Sequence, residues 1–435
     1  MIEYLFVTTC LAVLEARLNT NPLNDAQLQD LLTVAIDQSQ LYVRPTTTLT
    51  VDNKTTLFNL YSCLLGVLSK NYFTIITDRV WDAVPALISS RSKAVPQAFA
   101  RIEALKYVDM QVSDQMGVDE TLAFLTKYCS VLKSSKLSKE ARLLLSQTIV
   151  SLLERIAAQP LNPEVDYLEL HRLLAGLYDT FSATKRKQRD TQGQTWYPLL
   201  SALLASADEE FFTQHWLDLC NNMSRPLRDK SLRPFLLQSI KLLVDTYCQK
   251  FSRDSSKLAS ILDQLCVLVF PAKITKSSIT FQGESVSNLE LFVDIILSIA
   301  RRDLDYSIRK IVFEFIRADK LRGDSQPEKV YIAVRAIFGI HDLIKADMLH
   351  SRCSTTQSPL DAGGSQEGQK SADSMISEYM PSICDFFSQL LRSLDGLFGN
   401  WLLFNQSRSV DGRWFSYWLS ATCSPFRLSP DTSCD

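Results

Sequence analysis

The sequence predicts an all-α solenoid built from irregular HEAT/armadillo-like repeats. Apolar residues recur at helical spacing through most of the chain, and the prolines fall mainly between the periodic segments, because proline lacks a backbone donor. Only 13 of the 435 residues are glycine, which is too few for glycine-rich phosphate loops or an architecture with many β-turns. Paired helices that recur every ~40–47 residues are typical of HEAT and armadillo repeats.

The first 270 residues are predicted to form a nearly continuous series of helices with short breaks. Asn162 followed by Pro163 indicates one helix start, and Ser206 with Glu209 has the spacing of a capping box. Each helix pair has a larger apolar face than it can bury alone, so neighbouring pairs must stack. The predicted helices span residues 2–18, 24–42, 54–70, 74–89, 95–107, 118–133, 138–158, 163–181, 196–206, 208–223, 231–251 and 255–269.

Three more helices are predicted between residues 287 and 344. The first begins with a capping box in which Ser287 accepts from the Glu290 amide and Glu290 reaches back. The second and third carry apolar stripes at helical offsets, and Pro327 lies in the first turn of the third. The stripe residues are Leu304, Ile308, Ile311, Val312 and Phe315 in the second helix, and Val330, Ala333, Val334, Ile337, Ile340 and Ile344 in the third.

These patterns divide the chain into repeats, connections and a tail. A segment rich in Ser, Thr, Gly and Gln is expected to be a disordered insertion, and the non-periodic tail is also expected to be disordered. Because Met1 starts a helix without a cap and periodicity ends in the tail, we expect a portion of a longer protein. The segments are helical repeats at 1–270, a loop at 271–286, helical repeats at 287–346, the insertion at 347–374, a terminal helix at 375–404 and the tail at 405–435.

The composition is that of an ordinary folded protein in a reducing compartment. The net charge of −2 gives no overall attraction to nucleic acid or membrane. The ten cysteines form no C-x-x-C pair and mostly lie in apolar helical patterns, which is typical of small buried hydrophobes. The apolar first segment lacks a basic leader and is too short to span a bilayer. The predicted location is therefore the cytoplasm.

The sequence contains no motif that predicts catalysis, a cofactor or a metal, so the protein is predicted not to be an enzyme. His171, His215, His341 and His350 are scattered, and none has a partner at metal-ligand spacing. There is no G-x-S-x-G, H-E-x-x-H, Walker or G-x-G-x-x-G motif. The acidic run 208–210 lies at a predicted helix start, where it favours the helix dipole.

Two clusters of basic residues are the candidate docking sites for a protein partner. A short charge run is ordinarily a solvated loop. The alternative is docking of an acidic surface, such as a phosphorylated segment or an acidic tubulin tail. Nucleic acid is less favoured because no stacking aromatic residues are interleaved. The clusters are Lys185, Arg186, Lys187 and Arg189, and, about one repeat later, Arg225, Arg228, Lys230 and Arg233.

The predicted helix pair 196–223 concentrates aromatic residues. The spacing from Phe212 to Trp216 places both rings on one helix face, which favours a core seam. The alternative is that Trp216 is exposed and anchors a partner helix.

Four stretches resemble, in the same relative order, the N-terminal region of the Furry family of large cell-morphogenesis proteins. None is a catalytic signature, so the resemblance depends on order and spacing together, and it extends over most of residues 1–404. The stretches are TWYPLLSALLASADEEFFTQHWLDLCNNMSRPLRDKS (Thr195–Ser231), FVDIILSIARRDLDYSIRKIVFEFI (Phe292–Ile316), PEKVYIAVRAIFGIHDLI (Pro327–Ile344) and YMPSICDFFSQLLRSLDGLFGNWLLF (Tyr379–Phe404).

The resemblance implies a non-enzymatic scaffold that supports polarised growth and cell shape near the cell cortex or microtubules. It implies NDR-class protein kinases and their Mob co-activators as partners, without a cofactor or a small-molecule substrate. The expected mechanism is bridging, in which an extended surface raises the local concentration of kinase, co-activator and substrate. The alternative is a generic adaptor for trafficking or nuclear transport on the same architecture, since fold does not fix function.

Overall fold

The structure, a computed structural model, describes residues 2–18, 20–41, 50–88, 95–134, 136–183, 193–251, 255–271, 281–316, 327–354 and 372–394. Across these residues the chain forms helices and connecting turns, and none of them lies in a β-strand. The predicted all-α class is therefore confirmed.

The helices follow one another with short connections. Two 3-10 turns, Leu105–Tyr107 and Pro226–Arg228, and two π-helical segments, Tyr247–Phe251 and Ser307–Val312, lie among them. The α-helices are α1 Ile2–Arg17, α2 Asp25–Leu41, α3 Val51–Trp81, α4 Val84–Ile88, α5 Val95–Ala104, α6 Gln115–Leu132, α7 Lys139–Ala158, α8 Leu168–Ser182, α9 Gly193–Ala205, α10 Glu209–Met223, α11 Arg233–Thr246, α12 Ser255–Val269, α13 Val286–Ala300, α14 Leu304–Tyr306, α15 Phe313–Phe315, α16 Pro327–Ser354 and α17 Ala372–Leu394.

The chain divides into two compact units. The first comprises Met1–Phe315 and Gln326–Leu343, and the second comprises Ile316–Ser325 and Ile344–Asp435. Helices α1 to α15 and the first part of α16 belong to the first unit, and α17 belongs to the second.

The helices of the first unit form two layers. In the spine layer, α3, α5, α7, α9, α11 and α13 follow one another, and each packs on the next. In the second layer, α6 packs on α8 and α10 packs on α12, while α1 and α2 pack on α3. Because successive helix pairs stack side by side, this unit is a solenoid of irregular HEAT-like repeats.

Fully buried apolar side chains lie along the whole spine. Leu152 of α7, Leu204 of α9, Leu243 of α11 and Ile296 of α13 are each 0% exposed. Complete burial of such a side chain contributes about 1.5–3 kcal/mol to folding. The apolar contacts between successive helices are thus the main stabilising interaction of the stack.

Polar bonds also join one repeat to the next. Arg155 Nη1 donates to Tyr107 O at 2.7 Å across 48 positions, and Gln159 Nε2 donates to Met110 O at 2.7 Å across 49. Ser206 Oγ donates to a carbonyl 53 positions earlier at 3.0 Å. Each bond spans about one HEAT repeat, so residues of one helix pair meet the equivalent part of the preceding pair.

Several helix starts differ from the prediction. Asp208, rather than Ser206, caps α10 by accepting from the Phe211 amide at 2.8 Å, and Ser206 is instead used in the inter-repeat bond. Ser285, rather than Ser287, caps α13. Asn162 accepts from a backbone amide two positions on in a turn, and α8 begins later, at Leu168. Both capping boxes and the Asn162 cap are therefore wrong, because Ser206, Glu290 and Asn162 form their hydrogen bonds with other groups.

The predicted break between residues 70 and 74 is a kink inside one long helix. Tyr72 has φ −133° and ψ 37°, outside the helical region. Its hydroxyl accepts from the Leu23 amide at 2.8 Å and donates to the Leu23 carbonyl at 3.1 Å. The kink is therefore fixed to the connection between α1 and α2.

The later apolar stripes are confirmed only in part. Ile308, Ile311, Val312 and Phe315 are buried, whereas Leu304 is half-buried. In α16 the buried residues include Ala333 and Ile340, as predicted, but also Ile332 and Ala336. Two other side chains of this helix, Tyr331 and Arg335, bind Glu290 of α13.

The predicted connections fall largely outside the described residues. Helix α16 continues to Ser354, into the segment predicted as a disordered insertion. Residues 272–280, 355–371 and 395–435 lie outside the described ranges, so the expectations for the loop, the rest of the insertion and the tail stay predictions. Among the described helices, none is long and apolar enough to cross a membrane.

Gly66 in α3 allows the backbone of the 3-10 turn Leu105–Tyr107 to approach this helix closely. A Cβ at this position would lie 2.3 Å from Tyr107 O. We expect Gly66→Ala to destabilise the protein by about 1–3 kcal/mol, the usual cost of overpacking a core. Gly176 of α8 is the control, because a Cβ there meets nothing within 4 Å, and Gly176→Ala should stabilise by about 0.5–1 kcal/mol. Urea unfolding followed by circular dichroism measures both; equal midpoints would contradict this packing.

The ion pair between α13 and α16 predicts a pH dependence. Arg335 Nε donates to Glu290 Oε1 at 2.9 Å. Burial opposes the charge of Glu290, but hydrogen bonds from Arg335 and Tyr331 outweigh it and lower its pKa from 4.5. The stabilisation is therefore present above pH 4.5 and lost as pH falls through the lowered pKa of the folded state.

We expect Arg335→Gln to cost about 0.2–1 kcal/mol at neutral pH, because both side chains are partly exposed. The cost should disappear at acid pH, and Arg335→Lys should retain part of the stabilisation. Unfolding free energies of the variants across the pH range measure this; a pH-independent difference would exclude the ion pair as its cause.

Candidate docking surface at the α10–α11 junction

The first basic cluster lies outside the described residues. Lys185, Arg186, Lys187 and Arg189 fall within 184–192, so their docking role stays a prediction. The second cluster lies in the first unit, from the end of α10 to the start of α11.

A 3-10 turn and an aspartate shape this junction. The turn Pro226–Arg228 follows α10, and the Arg228 amide donates to Arg225 O at 3.3 Å. Asp229 Oδ1 accepts from the Ser231 hydroxyl at 2.7 Å and from the Ser231 amide at 2.9 Å. These bonds, the hydroxyl bond first, lower the pKa of Asp229. The junction therefore has a defined backbone on which its basic side chains are carried.

Arg233 is not part of the exposed cluster. Its side chain is 1% exposed and pairs with Glu284, which is 2% exposed. Arg233 Nε also donates to Leu227 O at 2.8 Å, and Nη2 donates to Arg228 O at 3.3 Å. Assigning Arg233 to a docking patch was wrong, because this guanidinium is needed inside the protein to fix the turn and to balance a buried carboxylate.

Sequence reasoning missed Glu284. It lies 51 positions from Arg233, in a segment predicted as a loop, and a lone glutamate in a loop gives no local signal. Glu284 also accepts from Asn288 Nδ2 at 2.5 Å, which joins the start of α13 to the same network.

Lys230 is exposed but its ammonium is used within the protein. Lys230 Nζ donates to Gln282 O at 3.1 Å and to Gly283 O at 3.3 Å. Gly283 has φ +66°, a left-handed conformation that favours glycine. The Gly283 amide in turn donates to Glu328 Oε1 at 2.8 Å. Lys230 thus holds the turn before α13 while its side chain remains at the surface.

Arg225 and Arg228 are the basic residues of this junction that remain available to a partner. Both are exposed, and neither guanidinium has a hydrogen bond or ion pair with any residue that the structure describes. An unpaired guanidinium presents donors in a planar fork that matches a carboxylate or phosphate in two places. We refer to Arg225, Arg228 and the exposed part of Lys230 as the basic junction.

The aromatic residues between 196 and 223 form a core seam, and the exposed-anchor alternative for Trp216 is wrong. Trp216 is 1% exposed. Its ring stacks on Tyr247 with centroids 4.7 Å apart and on Phe212 with centroids 5.8 Å apart. The seam therefore packs α10 against the end of α11.

His171 and His215 lie against aromatic rings. His171 stacks on Tyr167 at 5.8 Å, and burial lowers its pKa. His215 lies 4.5 Å from the Phe211 ring. Within the described ranges, no group of three or more His, Cys, Asp or Glu side chains is arranged to hold a metal ion.

The cysteines of the described core are free thiols in apolar surroundings. Cys129 and Cys220 are both buried. Burial raises the pKa of the Cys129 thiol to about 11 and that of the Cys220 thiol to about 12. Such thiols stay protonated at neutral pH and behave as small hydrophobes.

The fold defines the class of helical-repeat proteins. The candidate contacts with a partner in the described part of the chain are the exposed side chains of the basic junction. The sequence matches the Cell morphogenesis N-terminal family over residues 1–421. The chain therefore belongs to that family, and the predicted resemblance is confirmed.

One similar protein is the cell polarity protein mor2 of Schizosaccharomyces pombe. It is 21% identical over 290 residues, which cover 65% of this chain and 13% of that protein. The chain thus matches only a small part of that relative's length. No solved structure matches the chain.

The buried pair predicts a large and specific loss of stability. We expect Arg233→Met to cost about 3–5 kcal/mol, because it leaves the buried charge of Glu284 without a partner. Adding Glu284→Gln should recover much of the loss, since the charge is removed while an acceptor for Asn288 remains. Arg228→Ala at the exposed surface should change stability little. Denaturant unfolding of the single and double variants measures these effects; additive losses in the double variant would disprove the coupling.

Proposed function

We propose that this chain is a non-enzymatic scaffold in cell morphogenesis and polarised growth, which brings NDR-class protein kinases and their Mob co-activators together with the cytoskeleton. The proposal rests on membership of the Cell morphogenesis N-terminal family. The similarity to a protein named for cell polarity supports the same process.

The observation that carries the docking part of the proposal is the state of Arg225 and Arg228. Both guanidiniums are exposed and unpaired within the described part of the chain. Their backbone is held by the Asp229 turn and by the buried Arg233–Glu284 pair. A partner would therefore meet a preorganised cationic surface, which lowers the entropic cost of binding.

The chemistry of the basic junction fits an acidic or phosphorylated protein segment. Charge-assisted bonds from arginine to carboxylate or phosphate are stronger than neutral ones and can be bidentate. A neutral or basic segment would gain nothing from these two side chains. The scaffold would act by holding such a segment of the kinase–Mob complex at the basic junction, close to partners bound elsewhere on the protein, which raises their effective concentration.

Charge reversal of the basic junction tests this role. We expect Arg225→Glu with Arg228→Glu to weaken binding of a purified NDR-class kinase–Mob complex by at least about tenfold, equal to about 1.4 kcal/mol. The difference should shrink as salt is added, because exposed charges are screened. Isothermal titration at two salt concentrations measures it.

Lys136→Glu with Lys139→Glu provides a control with the same change in net charge at another exposed site. This control should bind like the unchanged chain. Absence of binding by the unchanged chain, or equal weakening by both double variants, would refute docking at the basic junction. Proximity labelling that finds transport factors or coat proteins in place of kinases would favour the trafficking adaptor.

A further inference from the structure

A second surface of the first unit has a different chemistry. Helices α7, α9 and α11 of the spine leave a cleft of about 220 Å³ between them. Its lining includes Gln147 and Glu154 from α7, Gln194 from α9 and Gln238 from α11. The cleft is smaller than the roughly 300–1,000 Å³ of typical small-molecule sites. A cleft of this size accommodates part of an extended peptide rather than a whole cofactor.

The three glutamines come from successive spine helices and line the same cleft. Gln147, Gln194 and Gln238 lie on consecutive spine helices, each separated from the next by a distance in sequence within the ~40–47-residue HEAT period. All three are exposed, and their side-chain amides have no hydrogen-bond partner within the ranges that the structure describes. Each amide offers two donor hydrogens and an acceptor oxygen, which is the complement of a peptide main chain.

Gln159 shows this recognition inside the protein itself. Its Nε2 donates to Met110 O at 2.7 Å, and its Oε1 accepts from the Val112 amide at 3.1 Å. Residues 108–112 form a non-helical stretch between two elements. One glutamine side chain directly after α7 therefore holds a carbonyl and an amide two residues apart on a neighbouring segment. The cleft glutamines have the same groups free for a segment from another protein.

The unpaired charge in the cleft is negative. Glu154 has no hydrogen bond or ion pair with any described residue. Desolvation raises the pKa of Glu154, with the positive charge of Lys241 acting in the opposite direction. The other charged residue of the lining, Lys106, already pairs with Glu103 at 3.2 Å. Lys241 forms its ion pair with Asp294 at 3.2 Å, so a cationic side chain beside Glu154 would supply the direct partner that Glu154 lacks among the described residues.

The spacing of the spine helices suits an extended chain. Packed helices lie about 8–10 Å apart, and an extended peptide rises about 3.3 Å per residue. Every third residue of such a peptide would then meet the next spine helix. A segment of about six residues would reach all three glutamines.

We propose that this cleft binds an extended peptide segment of a partner protein, with Gln147, Gln194 and Gln238 bonding its main chain and Glu154 pairing with a Lys or Arg side chain. The cleft would bind a basic ligand, whereas the basic junction would bind an acidic one. The proposal therefore stands independently of kinase binding there.

Selection from a displayed library of random peptides, with the full chain as target, provides the probe. We expect the enriched peptides to share a Lys or Arg at one position and to contain no helix-forming pattern. A synthetic enriched peptide should bind Gln194→Ala with Gln238→Ala at least about tenfold more weakly than the unchanged chain. Glu154→Gln should remove the preference for Lys over Gln at the shared position. Fluorescence anisotropy measures each affinity.

Gln214→Ala is the matched control, since Gln214 is an exposed glutamine on α10 in the second layer. It should bind the peptide like the unchanged chain, and circular dichroism should report the same fold for every variant. Failure to enrich any peptide, enrichment of acidic peptides, or equal binding by the cleft variants and the control would overturn the proposal. The kinase–Mob titration on the same cleft variants should be unaffected, which separates this outcome from failure of the basic junction.

Discussion

The stacking of each spine helix on the helix one repeat further along is the interaction on which the rest of the first unit depends. A single amphipathic helix pair exposes an apolar face that water disfavours, and only the next pair can cover it. The fully buried leucines and isoleucines of α7, α9, α11 and α13 lie at these contacts. A structure of this kind is stabilised by a chain of nearest-neighbour interfaces rather than by one central core.

Apolar stacking alone would let neighbouring pairs slide, and polar bonds between repeats fix their alignment. Arg155 and Gln159 reach carbonyls of the preceding repeat, and Arg233 reaches Glu284 of the following one. A buried polar group without its partner is costly, so each of these bonds is satisfied in a single register. This explains why the charged side chains of Arg233 and Glu284 are found buried within the described structure.

Fixed alignment has a consequence for binding. Since polar bonds fix the alignment of the helix pairs, side chains from successive repeats share one surface, as Gln147, Gln194 and Gln238 do in the lining of the cleft. At the α10–α11 junction the buried pair and the Asp229 turn hold the backbone of Arg225 and Arg228 in place. The proposed scaffold would therefore offer partners two rigid surfaces of opposite charge, which serves specificity as well as affinity.

The helix starts show that local sequence patterns predict the presence of a helix better than its first residue. Periodicity was enough to find most helices, because burial of one helix face imposes its spacing on the sequence. The choice between Ser206 and Asp208, or between Ser285 and Ser287, was not local. The Ser206 hydroxyl donates to a carbonyl 53 positions earlier, and the Glu290 carboxylate accepts from side chains of α16. Competing caps are nearly equal in energy, so contacts from other repeats decided between them.

The amino-acid sequence by itself determined the all-α class, the repeat architecture and the family, because these follow from helical periodicity and from the order of matching stretches. It also located the basic residues of the junction. Only the tertiary structure decided that Arg233 is buried while Arg225 and Arg228 are exposed, since its partner Glu284 comes from the next repeat. The same holds for the cleft glutamines, whose common face exists only once three helices are stacked. Contacts between residues about one repeat apart depend on three-dimensional packing, and no local pattern encodes them.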